Sequence, residues 1–345
     1  MFRRVVQPSP KLWVPWTPVS RAYIHKVAQL QSVAQQTVSP VAEAGAGEFS
    51  KQKPFDHVPW KEPVSTTGTV RFFGKTTDNK AHTLNFKKGE ELQSNLGKGE
   101  ELDVKITDLR TYEPPVSLSL EGVEWVQHPT VLTEEKLLDA NKAESDAFVR
   151  SHYFDECAAL VKEKSGAATA IAYNYRHRRI ETGTNLFDPL NFSNKPLSTM
   201  HMDNDAKTAE VNLRRVLGDA EAERWLSKHW GIINVWRPVG VTVHQWPLAL
   251  VDSTTFSRGD GATTPIYTKN NYKSHFTGLT FNPEYKFYYV SNLGTDEALL
   301  FVDFDSEPKG NLIGMAHGAF EDHNGPADAP LRRSIEVRCL VLYDD

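Results

Sequence analysis

Arg332-Arg333-Ser334-Ile335-Glu336-Val337-Arg338-Cys339-Leu340-Val341-Leu342-Tyr343 closes the chain, and its residues alternate as only a strand with two unlike faces does. Successive side chains of an extended chain point to opposite sides. Arg332, Ser334, Glu336 and Arg338 therefore share one face, and Ile335, Val337, Cys339 and Val341 share the other. Working backwards, residues 312–320, 298–304, 286–290, 274–281, 241–251 and 232–236 are enriched in β-branched and aromatic residues, as strands are. Asn282-Pro283-Glu284, Asn292-Leu293-Gly294 and Pro308-Lys309-Gly310 supply turns between them. No helical spacing interrupts this series, so a doubly wound parallel sheet is excluded and a β-sandwich or jelly roll is expected.

Helices are expected earlier. Thr133 can cap a helix running through Leu137, Leu138 and Phe148, with Glu134 and Glu135 at its positive end. A second passes through Cys157, Leu160 and Val161 and stops near Gly166, and a third covers residues 206–228. Residues 69–73, 101–106 and 167–180 read as further strands. The fold is thus mainly β with flanking helices.

The 345 residues are 39% hydrophobic and 24% charged, an ordinary globular composition. A formal charge of -5 exerts no general pull on nucleic acid or anionic lipid. No apolar run reaches the ~20 residues that a membrane-crossing helix needs. Cys157 and Cys339 are the only cysteines, too few for a disulfide framework or a cysteine-based zinc site. Residues 1–23 differ from the rest: Arg3, Arg4, Lys11 and Arg21 stand there, Lys26 follows, and the first acid is Glu43. This suits a mitochondrial targeting segment with a processing site at Arg21-Ala22-Tyr23, the alternative being a basic tail in a cytoplasmic protein. Residues 24–63 read as a flexible linker. Residues 64–345 read as a single domain: an N-terminal β region at 64–130, a helix-rich region at 131–230 and strands at 231–345.

Chemistry concentrates in His201-Met202-Asp203, then His317, then Arg332-Arg333-Ser334. Of the twelve histidines only His201 has an acid two residues on, and that spacing puts both side chains on one face of an extended chain. A third donor from His317 would complete one face of an octahedron and leave three positions open. A non-haem iron(II) oxygenase needs such a site, with room for a bidentate oxo-acid and dioxygen. Arg332 and Ser334 can clasp a carboxylate together, the guanidinium through a two-pronged fork. In this reading they hold the far end of 2-oxoglutarate.

The chain resembles a known family, the fungal gibberellin-desaturase and aspergillic-acid-hydroxylase-like proteins, which are also similar to the cephamycin methoxylation component. Asn234-Val235-Trp236-Arg237-Pro238, Pro247-Leu248-Ala249-Leu250, Asp296 to Phe301, His317-Gly318-Ala319-Phe320 and Ser334-Ile335-Glu336-Val337-Arg338 carry the resemblance, which extends from about Thr66 to Tyr343. It implies a double-stranded β-helix (jelly roll, cupin-like) core and an iron(II)/2-oxoglutarate-dependent hydroxylase or desaturase. It further implies iron at His201, Asp203 and His317, co-substrate at Arg332, and a pocket wall at Trp236-Arg237. Arg237 would pair with a substrate acid or with Asp252. His244, Tyr175 and Trp236 are candidate contacts to a small, secondary-metabolite-like substrate. Tyr173-Asn174-Tyr175 and Arg333 depart from the family pattern, which places an Asp-His or Asn-His pair and an acid there. Two other readings keep the fold: a cupin-like metalloenzyme that does not use 2-oxoglutarate, and a binding protein that has lost the metal.

Overall fold

The structure, a computed structural model, describes residues 62–78, 80, 84–85, 93–95, 97–137, 141–180, 196–256, 261–267, 273–308 and 314–344. The targeting segment expected at 1–23 and nearly all of the linker at 24–63 lie outside the described residues, as do Leu138 and most of the Pro308-Lys309-Gly310 turn.

The strands in chain order are β1 (Ser65–Arg71), β2 (Leu84–Asn85), β3 (Gln93–Ser94), β4 (Glu101–Asp108), β5 (Val123–Gln127), β6 (Thr169–Arg179), β7 (His201–Met202) and β8 (Trp230–Pro238). They continue as β9 (Leu248–Val251), β10 (Gly261–Tyr267), β11 (Lys273–Leu279), β12 (Phe287–Tyr289), β13 (Glu297–Asp305), β14 (His317–Ala319), β15 (Glu321–Asp322) and β16 (Arg333–Leu342). Two sheets form. One runs β5-β13-β8-β16-β6, the other β15-β1-β4-β12-β9-β14-β7-β11-β10-β2-β3. From β6 onward the chain changes sheet again and again: β7 and β9 lie in the large sheet with β8 between them in the small one, and β14 follows β13 in the same way. This winding makes the core a double-stranded β-helix.

The apolar row of the last strand fulfils the expected alternation. Ile335, Val337, Cys339 and Val341 are buried in one cluster with Cys157, Leu160 and Val161 of the helix behind the small sheet. That helix, α3 (Phe154–Ser165), ends at Gly166, whose φ of 70° is the left-handed cap conformation. Before it come α1 (Glu134–Leu137) and α2 (Lys142–Phe148), joined to α3 by a π turn at Val149–Tyr153. The single helix expected over 133–148 is thus two. Thr133 Oγ1 accepts from the Lys136 amide at 3.3 Å, and Asn141 caps anew by accepting from the Ala143 amide at 3.1 Å. Likewise residues 206–228 form α4 (Ala206–Leu217) and α5 (Asp219–Leu226), parted by Gly218 at a φ of 78°.

Two expected strands are shorter than their composition suggests. Only Leu248–Val251 of 241–251 is extended in a sheet, because Trp246 takes a φ of 53° and turns the chain before it. Of the described part of 312–320, residues 314–320, strand covers His317–Ala319. The strands β7 and β15 are two residues each, too short to show any periodicity, and were not expected.

Candidate metal centre

His201 opens β7, His317 opens β14, and the two residues are direct partners in the antiparallel ladder. Cross-strand partners point to the same face, and the imidazole centroids lie 4.5 Å apart. Asp203 stands just beyond β7, with its Oδ1 3.4 Å from His201 Nε2. One donor atom from each of His201, Asp203 and His317 lies within 4.8 Å of the other two.

Both rings are fixed in the same manner. His201 Nδ1 donates to the Thr199 carbonyl at 2.8 Å, and His317 Nδ1 donates to the Met315 carbonyl at 3.0 Å. Each proton is thereby kept on Nδ1, and each Nε2 presents a lone pair to the shared point. Burial, aided by neighbouring His201, pulls the His317 pKa down and keeps that ring neutral. Burial works against the charge of Asp203, but the Arg338 guanidinium, with His201 and His317 beside it, holds this carboxyl well below its usual range. Two imidazoles and one carboxylate, buried and converging, suit a divalent iron with open positions left over.

The polar row of β16 faces this cluster from the opposite sheet. Glu336 Oε2 is 4.0 Å from His317 Nε2. Arg338 Nη2 donates to Asp203 Oδ2 and, at 2.9 Å, to Glu336 Oε1. Arg332 is 3% exposed, donates from Nε to Ser334 Oγ at 3.2 Å and from Nη1 to the Trp246 carbonyl, and lies 4.8 Å over the Trp236 ring. Burial, then the charge of Arg178, pulls its pKa down to about 9, the mark of a cation short of negative partners. Arg332, Ser334 and Trp236 thus come together on the metal-facing side.

Arg237 and Tyr175 do not join them. Arg237 pairs with Ile335 and Tyr175 with Val337, so both lie on the helix-facing side of the small sheet. Trp236 and Arg237 are adjacent in one strand and cannot both reach one cavity. Arg237 is consumed by structure: it donates to the carbonyls of His128 at 2.7 Å and Thr295 at 3.2 Å, to Tyr153 Oη at 3.2 Å, and lies 3.4 Å from Glu156. It makes no pair with Asp252, whose carboxylate instead accepts from the Tyr288 hydroxyl at 2.8 Å. The Tyr175 hydroxyl donates to Asp146 at 3.0 Å, with its ring against Phe154. His244 bonds Asn292 at 2.8 Å and lines a surface cleft with Tyr289, Asp322 and Asn324, a lining that contains none of the three clustered donors.

Sequence reasoning placed Glu336 and Arg338 on the correct face but assigned them no part. The signal was present: charges on a strand whose other face is wholly apolar need a buried counterpart. Asp303 was missed as well, although an acid inside Phe301-Val302-Asp303-Phe304 poses the same question. Burial, with the charge of Asp203 nearby, raises its pKa well above the usual carboxylate range.

Comparison with known proteins agrees with this geometry. Residues 70–342 match a family model described as "Oxidoreductase/YMDC permease-like domain". Among the described residues no helix is long and apolar enough to cross a membrane. The chain is 36% identical over 291 residues to Oxidoreductase clz16 of Cochliobolus lunatus, covering 81% of this chain and 97% of that one. It is 31% identical over 243 residues to the Fe(II)/2-oxoglutarate-dependent dioxygenase nvfI of Aspergillus novofumigatus, covering 69% and 82%. A solved structure of the iron and alpha-ketoglutarate-dependent endoperoxidase NvfI superposes with a TM-score of 0.68 at 27% identity, covering 81% of this chain and 99% of that one. With its winding, its histidine–aspartate–histidine cluster and these relatives, the chain belongs to the fungal family of iron(II)/2-oxoglutarate-dependent oxygenases.

Proposed function

We propose that His201, Asp203 and His317 hold one iron(II), that Arg332 and Ser334 take the far carboxylate of 2-oxoglutarate, and that the reaction hydroxylates or desaturates a small organic molecule. The observation that carries this reading is the convergence of three donors at the large sheet, beside a buried guanidinium at the start of the facing β16 whose side chain is short of negative partners. When bound, iron and 2-oxoglutarate supply the oxidising power, using dioxygen and releasing succinate and carbon dioxide.

The chain's own residues position and shield. The Nδ1 bonds to Thr199 and Met315 keep both imidazoles from turning. Arg338 holds Asp203 Oδ2, which leaves Oδ1 on the histidine side. Trp236 backs the Arg332 guanidinium and keeps its plane fixed. His201, His317 and Arg332 are each less than 5% exposed, so the reacting centre is largely shielded from bulk water.

Anaerobic addition of iron(II) and 2-oxoglutarate tests the proposal. A visible charge-transfer band is expected in the wild type and not in His201→Ala, and succinate should accumulate once air and a substrate are admitted. Absence of the band at millimolar 2-oxoglutarate would overturn the reading. The basic composition of residues 1–23 also supports a proposal of mitochondrial targeting. Fluorescent fusions with and without that segment test it, a cytoplasmic signal from the full chain being the adverse result.

A further inference from the structure

Beside Asp203, on the side away from Arg332, the interior holds a group of polar atoms that the proposed function leaves unexplained. Tyr173, Asn174, Asn234 and Asp303 are 4%, 8%, 0% and 1% exposed. The Tyr173 hydroxyl, Asn174 Nδ2, both amide atoms of Asn234, Asp303 Oδ1 and Arg338 Nε have no hydrogen-bond partner among the described residues. Buried polar atoms are almost always paired, so this many at one place mark a space built to receive something.

The backbone shows that the place is one and the same. Arg338 pairs with Asn174 on one side and with Asn234 on the other, so the three form a row across β6, β16 and β8. A register shift in β6 makes Tyr173 the extra residue at this level, and a shift in β13 does the same for Asp303. Bulges re-aim side chains, and here two of them turn toward one row. The row is rich in donors: two amide NH₂ groups, a phenol and a guanidinium Nε–H. Such a lining favours an oxyanion over a cation.

The register of β8 against β16 gives the dimension. Arg332 reaches forward to Ser334, and Arg338 reaches back to Glu336. Ser334 pairs with Pro238 and Arg338 with Asn234, so the two ends stand four residues apart, about 13 Å along a strand, which matches a five-carbon diacid of about 7 Å between its outermost oxygens with a hydrogen bond of about 2.9 Å at each end. We propose that Arg338 and Asn234 form the second jaw of a clamp, receiving the carboxylate next to the keto group of 2-oxoglutarate while Arg332 and Ser334 hold the other. This rests on the proposed function and adds to it the residues that read the metal-side end of the co-substrate.

Asn234 is the residue to vary, because Arg338 also holds Asp203 and its loss would disturb the metal. With manganese(II)-loaded protein, calorimetric titrations of 2-oxoglutarate and of pyruvate, which keeps the keto-acid end but lacks the far carboxylate, are compared for wild type, Asn234→Ala and Arg332→Ala. Asn234→Ala should weaken both ligands about tenfold, the worth of one good hydrogen bond. Arg332→Ala should weaken 2-oxoglutarate alone. Manganese affinity and the thermal midpoint without co-substrate should hold in Asn234→Ala, since it removes atoms that have no partner in the free protein. Wild-type affinity for both ligands in Asn234→Ala would overturn the second jaw and leave the proposed function standing. A fall in metal affinity or thermal midpoint would make Asn234 a structural residue, which also overturns it. If the wild type binds no 2-oxoglutarate at all, the proposed function fails first.

Discussion

The Nδ1–H of each clustered histidine donates to a carbonyl two residues earlier in its own chain segment, so ring orientation is a local property of each strand. Removing a ring should therefore cost metal without costing fold. His317→Ala is expected to lower iron(II) affinity by more than about a hundredfold, measured by competition with a chelator, with far-UV circular dichroism unchanged. Arg237 makes the opposite prediction. It is buried against Tyr153, Glu156 and two carbonyls on the helix side, so Arg237→Ala should cost about 3 kcal/mol of stability. The 2-oxoglutarate affinity should not move, and a weakened affinity would restore Arg237 to the site. His177 also lies on the helix-facing side, opposite Ile335, and burial with the charges of Arg179 and Arg333 lowers its pKa to about 4. Unfolded, it would titrate near 6.5. Between these values the unfolded chain binds the extra proton, so stability is full above pH ~6.5 and falls as pH drops toward about 4. Denaturant midpoints at pH 7 and pH 5 should fall less in His177→Asn than in the wild type.

At the scale of elements, glycine placement controls how closely strands approach the metal ligands. Gly278 of β11 is the direct partner of His201, and a Cβ there would lie 2.3 Å from the Phe73 ring. Gly278→Ala should thus cost about 1–3 kcal/mol and also weaken iron binding, because the strand beside β7 must shift. Unchanged metal affinity would show that β7 is positioned by β14 alone. The long strand β16 was legible through its alternation, β8 and β13 through β-branched and aromatic enrichment, and the helix α3 through helical spacing, each over a run long enough to show it. The two-residue strand that carries His201 was not, since so short a run holds no period; His201 and Asp203 stood out through their chemistry instead, whereas the strand of His317 was expected within 312–320. Arg237 and Tyr175 were misassigned because nearness in sequence to a pocket residue was weighed above strand parity, which would have sent both to the other face. The acid in β13 and the tyrosine at the start of Tyr173-Asn174-Tyr175 sit on bulges, where parity counted along the chain fails.

For the molecule as a whole, the two sheets are held by unlike means. The helix-facing side of the small sheet is closed by a continuous apolar cluster, whereas the space between Asp203 and β16 is bridged by Arg338 and Glu336. Metal binding should accordingly stabilise the whole fold by mass action: at a hundredfold excess over Kd the gain is about 2.7 kcal/mol. For a chain of this size that shifts the midpoint by roughly 4–5 °C. A scan with and without chelator checks this, and identical midpoints would mean that the metal is not bound or that the unfolded chain binds it equally well.

Because His201 and His317 face one another as ladder partners, an ion between them is a rivet through two of the shortest strands, at the middle of the large sheet. Cells deprived of iron would lose more than turnover. Chains lacking the rivet would open there first and be cleared by proteolysis, so that the quantity of this enzyme, and not only its rate, would follow the supply of the metal.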